Sequence, residues 1–110
     1  MLDMSRLLPG PLTGHLLTRL GAAVTKCDSP IGGDYVRHLP PLQPYASATG
    51  SSSKQHGALF EALNAGKRGL GLDLRHKEAA AVVRRLACHY DVVLEGSRPG
   101  VMDKVCHSMI

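Results

Sequence analysis

Tryptophan is absent and phenylalanine occurs once, at Phe60, so aromatic residues make up only 4% of the 110 residues. That scarcity argues against nucleic-acid binding through interleaved stacking rings. It also leaves the core to leucine, valine and alanine. Cysteine is sparse too: Cys27, Cys88 and Cys106 are odd in number and share no C-x-x-C spacing. A disulfide framework is therefore not expected, and a reducing, intracellular setting is. No apolar run reaches the length of a bilayer span. Asp3, Arg6, Pro9 and Pro11 interrupt the N-terminus before it could act as a signal peptide, and the closing Ser-Met-Ile is no peroxisomal address. The expectation is a soluble, cytoplasmic chain with neither membrane nor nucleic-acid partner.

Several familiar sites are missing as well. Gly69 and Gly71 have the first spacing of a dinucleotide fingerprint, but Leu74 stands where its last glycine belongs. Gly66-Lys67 resembles the end of a phosphate-binding loop, yet Glu61 and Arg68 occupy the positions that need glycine and serine or threonine. The six histidines show no metalloprotease or triad context. Cys88-His89 and Cys106-His107 would have to chelate zinc through neighbours that point about 100° apart on a helix, so no metal is expected. Cys27 and Cys88 read as small core residues.

What is present organises around residues 66–75, GKRGLGLDLR. Residues 69–74 read as a short strand whose polar end leads into a helix at about 77–89. There Ala79, Ala80, Val82, Val83, Leu86 and Ala87 form one side and Glu78, Arg84 and Arg85 largely the other. Residues 91–95, with Val92, Val93 and Leu94, suit a buried parallel strand. Strand, helix and strand make a βαβ unit, which binds ligands beyond the carboxyl ends of its strands. The chain also opens in this pattern. Met1 to Met4 reads as a strand tail, and Pro11 suits a first helical turn. Leu12, Leu16, Leu17 and Leu20 line one helix face, Gly21 ends it, and residues 22–27 form the next strand. Residues 28–56 read as a long Pro/Gly/Ser-rich loop, with Pro40, Pro41 and Pro44 extended and Ser51 to Ser53 mobile. A short helix over 57–64 points Leu59, Phe60 and Leu63 inward, and a helical turn starts at Val101.

The net charge of +4 favours an anionic partner. Lys67 and Arg68 read most simply as a solvated turn. Arg75 follows a strand end at a helix start, where backbone N–H groups already attract anions, and Arg98 occupies the equivalent place after residues 91–95. Two cations at adjacent strand ends point to a phosphate site. Asp3, Asp34, Asp73 and Glu95 could do acid–base chemistry, but their spacing pairs none of them, so spacing names no catalytic residue.

Six stretches in register resemble a known family: residues 2–11, 21–26, 32–34, 63–68, 72–74 and 98–102. They are similar to the N-terminal part of class III CoA-transferases and α-methylacyl-CoA racemases. The resemblance implies an α/β, Rossmann-like parallel sheet, with residues 1–110 forming the incomplete N-terminal, CoA-binding portion of a large domain. It implies coenzyme A or an acyl-CoA as ligand and an interlocked homodimer for the intact protein, with self-association expected of this portion. CoA contacts are implied at Leu8 and Pro9, at Leu72, Asp73, Leu74 and Arg75, at Gly96, Ser97 and Arg98, and at Lys104. Leu8 stands where a transferase has glutamine and looks more like the racemase branch. Glu95-Gly96-Ser97 replaces the usual Glu-Asn-Phe, and Asp28 the usual glutamate. The catalytic acid of the transferases, and the His and Asp of the racemases, fall after position 110 in relatives, so the chain is expected to be a fragment with no catalytic residue of its own. Competing expectations are a non-catalytic anion-binding module and a truncated product without activity.

Overall fold

The computed structural model describes residues 1–45 and 54–105, and the expectations for Ser51 to Ser53, Cys106 and His107 fall outside them. The elements are β1 (Leu2–Asp3), α1 (Pro9–Arg19), β2 (Thr25–Asp28), a 3₁₀ turn (Tyr35–His38), β3 (Leu42–Tyr45), β4 (Lys54–Gly57), α2 (Ala58–Asn64), β5 (Arg68–Gly71), α3 (Ala79–Ala87), β6 (Val93–Leu94) and α4 (Val101–Val105). Four of the strands form a parallel sheet in the order β5-β2-β1-β6. The α/β class expected from the sequence is therefore what the chain adopts.

The sheet's two faces differ because side chains alternate along each strand. Leu2, Met4 and Cys27 face one way, where they pack with Val83 of α3 and with Leu70, Leu86 and Met102. Leu2 and Val83 are fully buried, and each contributes about 1.5–3 kcal/mol by leaving water. The intervening residues Asp3, Ser5, Lys26 and Asp28 are also buried, on the other face. One side of the sheet is apolar; the other is charged.

Local chemistry sets the helix ends. α1 begins with Pro9, whose missing N–H falls among the unpaired first-turn donors, and it ends where Gly21 takes φ +97° and donates its N–H to the Thr18 carbonyl. Gly66, at φ +81°, closes the turn after α2. The inward face of α1 is Pro11 and Gly14, with Leu17 partly buried, whereas Leu12, Leu16 and Leu20 are 41, 55 and 84% exposed. In α2, Phe60 and Leu63 point inward onto Val36, but Leu59 does not. α3 is two residues shorter at each end than its expected span of about 77–89, because residues 74–78 and 88–89 form turns.

Three further expectations change. β5 and β6 are not neighbours: α3 carries the chain across β2 and β1 and leaves the two strands at opposite edges of the sheet. Val92 is therefore 51% exposed and Val93 and Leu94 only partly buried, as edge residues. The stretch 28–56 is not featureless either. Asp34 caps the 3₁₀ turn by accepting the Val36 N–H, and β3 pairs antiparallel with β4 from Leu42↔Gly57 to Tyr45↔Lys54. Pro44 sits in β3, opposite Gln55, not in a free polyproline segment. Cys27 is buried as expected, whereas Cys88 is exposed after α3.

Candidate functional site

Because all four strands of the sheet run parallel, their carboxyl ends share one edge, and the loops that follow them surround an open cleft of about 750 Å³. Arg6 and Leu7 come from the loop after β1, and Gly32 to Tyr35 and His38 from the segment after β2. Leu74 and Arg75 follow β5, and Gly96, Ser97 and Arg98 follow β6, with Val101 and Met102 of α4 beside them. Arg75 and Arg98 thus meet at one cleft even though their strands are not adjacent. Arg6 adds a third guanidinium that the sequence reading did not single out.

Leu8, Pro9, Leu72 and Asp73, also implied by the resemblance, do not line this cleft. Leu8, the N-cap of α1, is 49% exposed, and Pro9 begins the helix. Leu72 packs against the apolar core. Asp73 turns to Arg75, whose Nε and Nη2 donate to its two carboxylate oxygens at 3.0 and 3.1 Å. These hydrogen bonds and the adjacent charge hold the Asp73 carboxyl below its ordinary value and raise Arg75. Arg75 sits in the turn before α3 and does not open the helix. Lys104 lies within α4.

Beneath the cleft lies a buried ionic layer that the sequence reading missed. Lys67 was expected in a solvated turn. Instead its Nζ donates to Asp3 Oδ2 at 2.9 Å, to the Pro11 carbonyl at 2.8 Å and to Asn64 Oδ1 at 3.0 Å. Gly14 makes room for the pair, since a Cβ there would sit 2.9 Å from Asp3 Oδ2. Burial pushes the Asp3 carboxyl up, but hydrogen bonds from Ser5 and Lys67 and the charges of Lys26 and Lys67 outweigh it and leave the group below its ordinary value. Burial lowers the Lys67 ammonium, against the opposing pull of Asp3. Nearby, Lys26 Nζ lies 3.5 Å from Asp34 Oδ2 and donates to the Ser5 carbonyl. Arg37 bonds Asp28 at 3.3 Å and stacks 3.8 Å from the Phe60 ring centroid. The one available signal was alternation: Leu2-Asp3-Met4-Ser5 and Lys26-Cys27-Asp28 switch between apolar and polar at every residue.

Asp34 joins this layer to the cleft. Its carboxylate accepts the Leu7 N–H at 3.0 and 3.2 Å, and Leu7 stands at φ +66°, a left-handed conformation that costs a non-glycine residue about 1–2 kcal/mol. The arrangement suits binding more than proton transfer. The cleft's cations are arginines, suited to phosphate oxygens. Its lining carboxylate, Asp34, is 1% exposed and already engaged with Lys26 and two backbone N–H groups. Glu95 accepts the Ser97 N–H at 2.8 Å. Burial and Asp28 push the Cys27 thiol up, away from nucleophilic use. Among the described residues, no group of three His, Cys, Asp or Glu is arranged to hold a metal ion, and no helix is long and apolar enough to cross a membrane.

The model of CoA-transferase family III matches residues 1–108. Over 104 residues the chain is 36% identical to a succinyl-CoA:mesaconate CoA-transferase of Haloarcula hispanica, covering 94% of this chain and 25% of that protein. It is 38% identical over 96 residues to a succinate–glutarate CoA-transferase of Agrobacterium fabrum, covering 86% and 23%. The crystal structure of a CAIB/BAIF family protein from Brucella suis superposes with a TM-score of 0.81 at 37% identity, over 94% of this chain and 26% of that one. The chain thus spans about a quarter of the length of the relatives it matches.

Proposed function

The chain belongs to CoA-transferase family III, and from that premise we propose that its cleft binds coenzyme A as part of an enzyme that moves CoA between carboxylic acids. The observation that carries this reading is the convergence of Arg6, Arg75 and Arg98 with apolar Leu7, Leu74, Val101 and Met102 in one cleft at the strand ends. CoA has the same split character, phosphates at one end and a long, weakly polar arm at the other. The arginines suit the phosphates, and the Gly96-Ser97 backbone lets the arm approach closely. Leu72, Asp73, Leu8, Pro9 and Lys104 belong to this proposed site as its surroundings, with Asp73 acting through Arg75.

Transfer is preferred to racemisation of a 2-methylacyl-CoA because the relatives named above are CoA-transferases. Leu8, the residue that resembles the racemases, does not line the cleft. We further propose that the residues forming and breaking the thioester lie outside residues 1–110, since the carboxylates of Asp34, Asp73 and Glu95 are already committed to structural partners. Calorimetric titration with CoA tests the binding reading. Binding that weakens with salt and falls about tenfold in Arg75→Ala, near 1.4 kcal/mol, is expected. Equal binding by both proteins would remove Arg75 from the site.

A further inference from the structure

We infer that Asp34 is a positioning residue of the CoA cleft: it holds Leu7 in its left-handed conformation and so sets the wall against which the apolar arm of the ligand lies. The inference rests on the CoA reading of the cleft. Asp34 is 1% exposed, and both of its oxygens reach the Leu7 N–H, at 3.2 and 3.0 Å. The same carboxylate caps the 3₁₀ turn through Val36 and faces Lys26 at 3.5 Å. Lys26 in turn donates to the Ser5 carbonyl, so the buried pair grips the loop after β1 at two points, Ser5 and Leu7. Leucine does not adopt φ +66° without support. An anionic acceptor aimed at that one amide supplies it, and a charge-assisted hydrogen bond is stronger than a neutral one. The result leaves Leu7 52% exposed and lining the cleft, where a leucine held in ordinary backbone geometry would be redirected.

The arm and the phosphates should therefore respond differently when Asp34 is changed. In titrations of the full chain, Asp34→Asn is expected to lower affinity for acetyl-CoA about tenfold, while binding of the phosphorylated adenosine end alone changes less than about twofold. The amide of Leu7 should also lose its hydrogen-exchange protection in the variant. Asp34→Asn is close to isosteric, which favours folding; should it fail to fold, Leu7→Gly, which takes the left-handed turn without strain but removes the apolar wall, is expected to show the same selective loss. Equal losses for both ligands would make Asp34 a support of the fold and overturn the inference. So would unchanged acetyl-CoA binding. If the unaltered chain bound neither ligand, the CoA reading itself would fall. The Leu7 amide would then decide separately whether Asp34 holds the turn, and an unprotected amide in the unaltered chain would refute it.

Discussion

Lys67 and Asp3 lie 2.9 Å apart with side chains 1 and 0% exposed, so an ion pair joins the loop before β5 to the centre of the sheet, out of contact with water. Removing one partner of such a pair strands a buried charge. Lys67→Met is expected to lower unfolding free energy by about 3–5 kcal/mol in urea at neutral pH. Against a total of about 5–15 kcal/mol for a domain, that is close to the margin of folding. The double variant with Asp3→Asn should recover part of the loss, and a double variant as unstable as the single would mean that the pair does not act as a unit.

The same pair sets a pH dependence. Asp3 is held below its ordinary value of 3.8 in the folded chain. Its stabilising contribution is therefore complete above the unfolded value and is lost as pH falls through the folded one. Lys67 gives a slope of the same sign at the other end of the pH range. Its folded value lies below 10.5, so in that alkaline window the unfolded chain holds the proton better and stability rises with pH. Thermal melts from neutral pH into acid should show a decline that Asp3→Asn flattens. An identical slope in both proteins would assign acid sensitivity to other groups.

Gly57 is fixed by its neighbours. A Cβ there would stand 2.4 Å from the Val36 carbonyl oxygen and 2.7 Å from that of Leu39, and both are backbone atoms that cannot swing aside. Gly57→Ala should destabilise by about 1–3 kcal/mol and push α2 off the 3₁₀ turn. Gly69→Ala, which meets nothing within 4 Å, is the control and should cost little.

Arg75 is already engaged by Asp73, at 3.0 and 3.1 Å. If a phosphate is its partner, the anion must compete with that carboxylate. Asp73→Asn is therefore expected to tighten CoA binding by about threefold, a modest gain because exposed ion pairs are weak. Weaker binding would instead make Asp73 the residue that orients the guanidinium.

The exposed leucines of α1 carry the last prediction. Leu12, Leu16 and Leu20 recur at four-residue spacing and form an apolar stripe in water. Light scattering should detect concentration-dependent association that Leu16→Lys with Leu20→Lys reduces. A monomer at all concentrations would show that the stripe recruits nothing.

Element types were legible where one local rule sufficed. Pro11 marks the first turn of α1 and Gly21 its end, Gly66 closes α2, and apolar spacing marks α3. What escaped was tertiary. The leucines of α1 read as a core face, but Pro11 and Gly14 allow the helix to lie close on the sheet, and that leaves Leu12, Leu16 and Leu20 outside. Lys67 read as surface charge because burial of an ion depends on a partner far along the chain, here Asp3. At the cleft, Arg75 and Arg98 were found through the strand-end rule, yet their meeting depends on loops that converge from opposite sheet edges. Asp34 stood out only as an acid–base candidate and within a family-like stretch, since its place beside Leu7 exists only in the folded chain.

The strand order also has a consequence in time. β1 leaves the ribosome before the other strands of its sheet, and β2 follows soon enough to pair along one of its sides. Its other side waits for Val93 and Leu94, so the backbone of Leu2 to Met4 gains its partners there only when synthesis is almost through this stretch. Until then the centre of the finished sheet is an open edge, the kind of surface that recruits stray strands. The residues that end up most deeply enclosed are thus the ones a nascent chain must shield longest, and a pause in translation before Val93 would prolong that exposure.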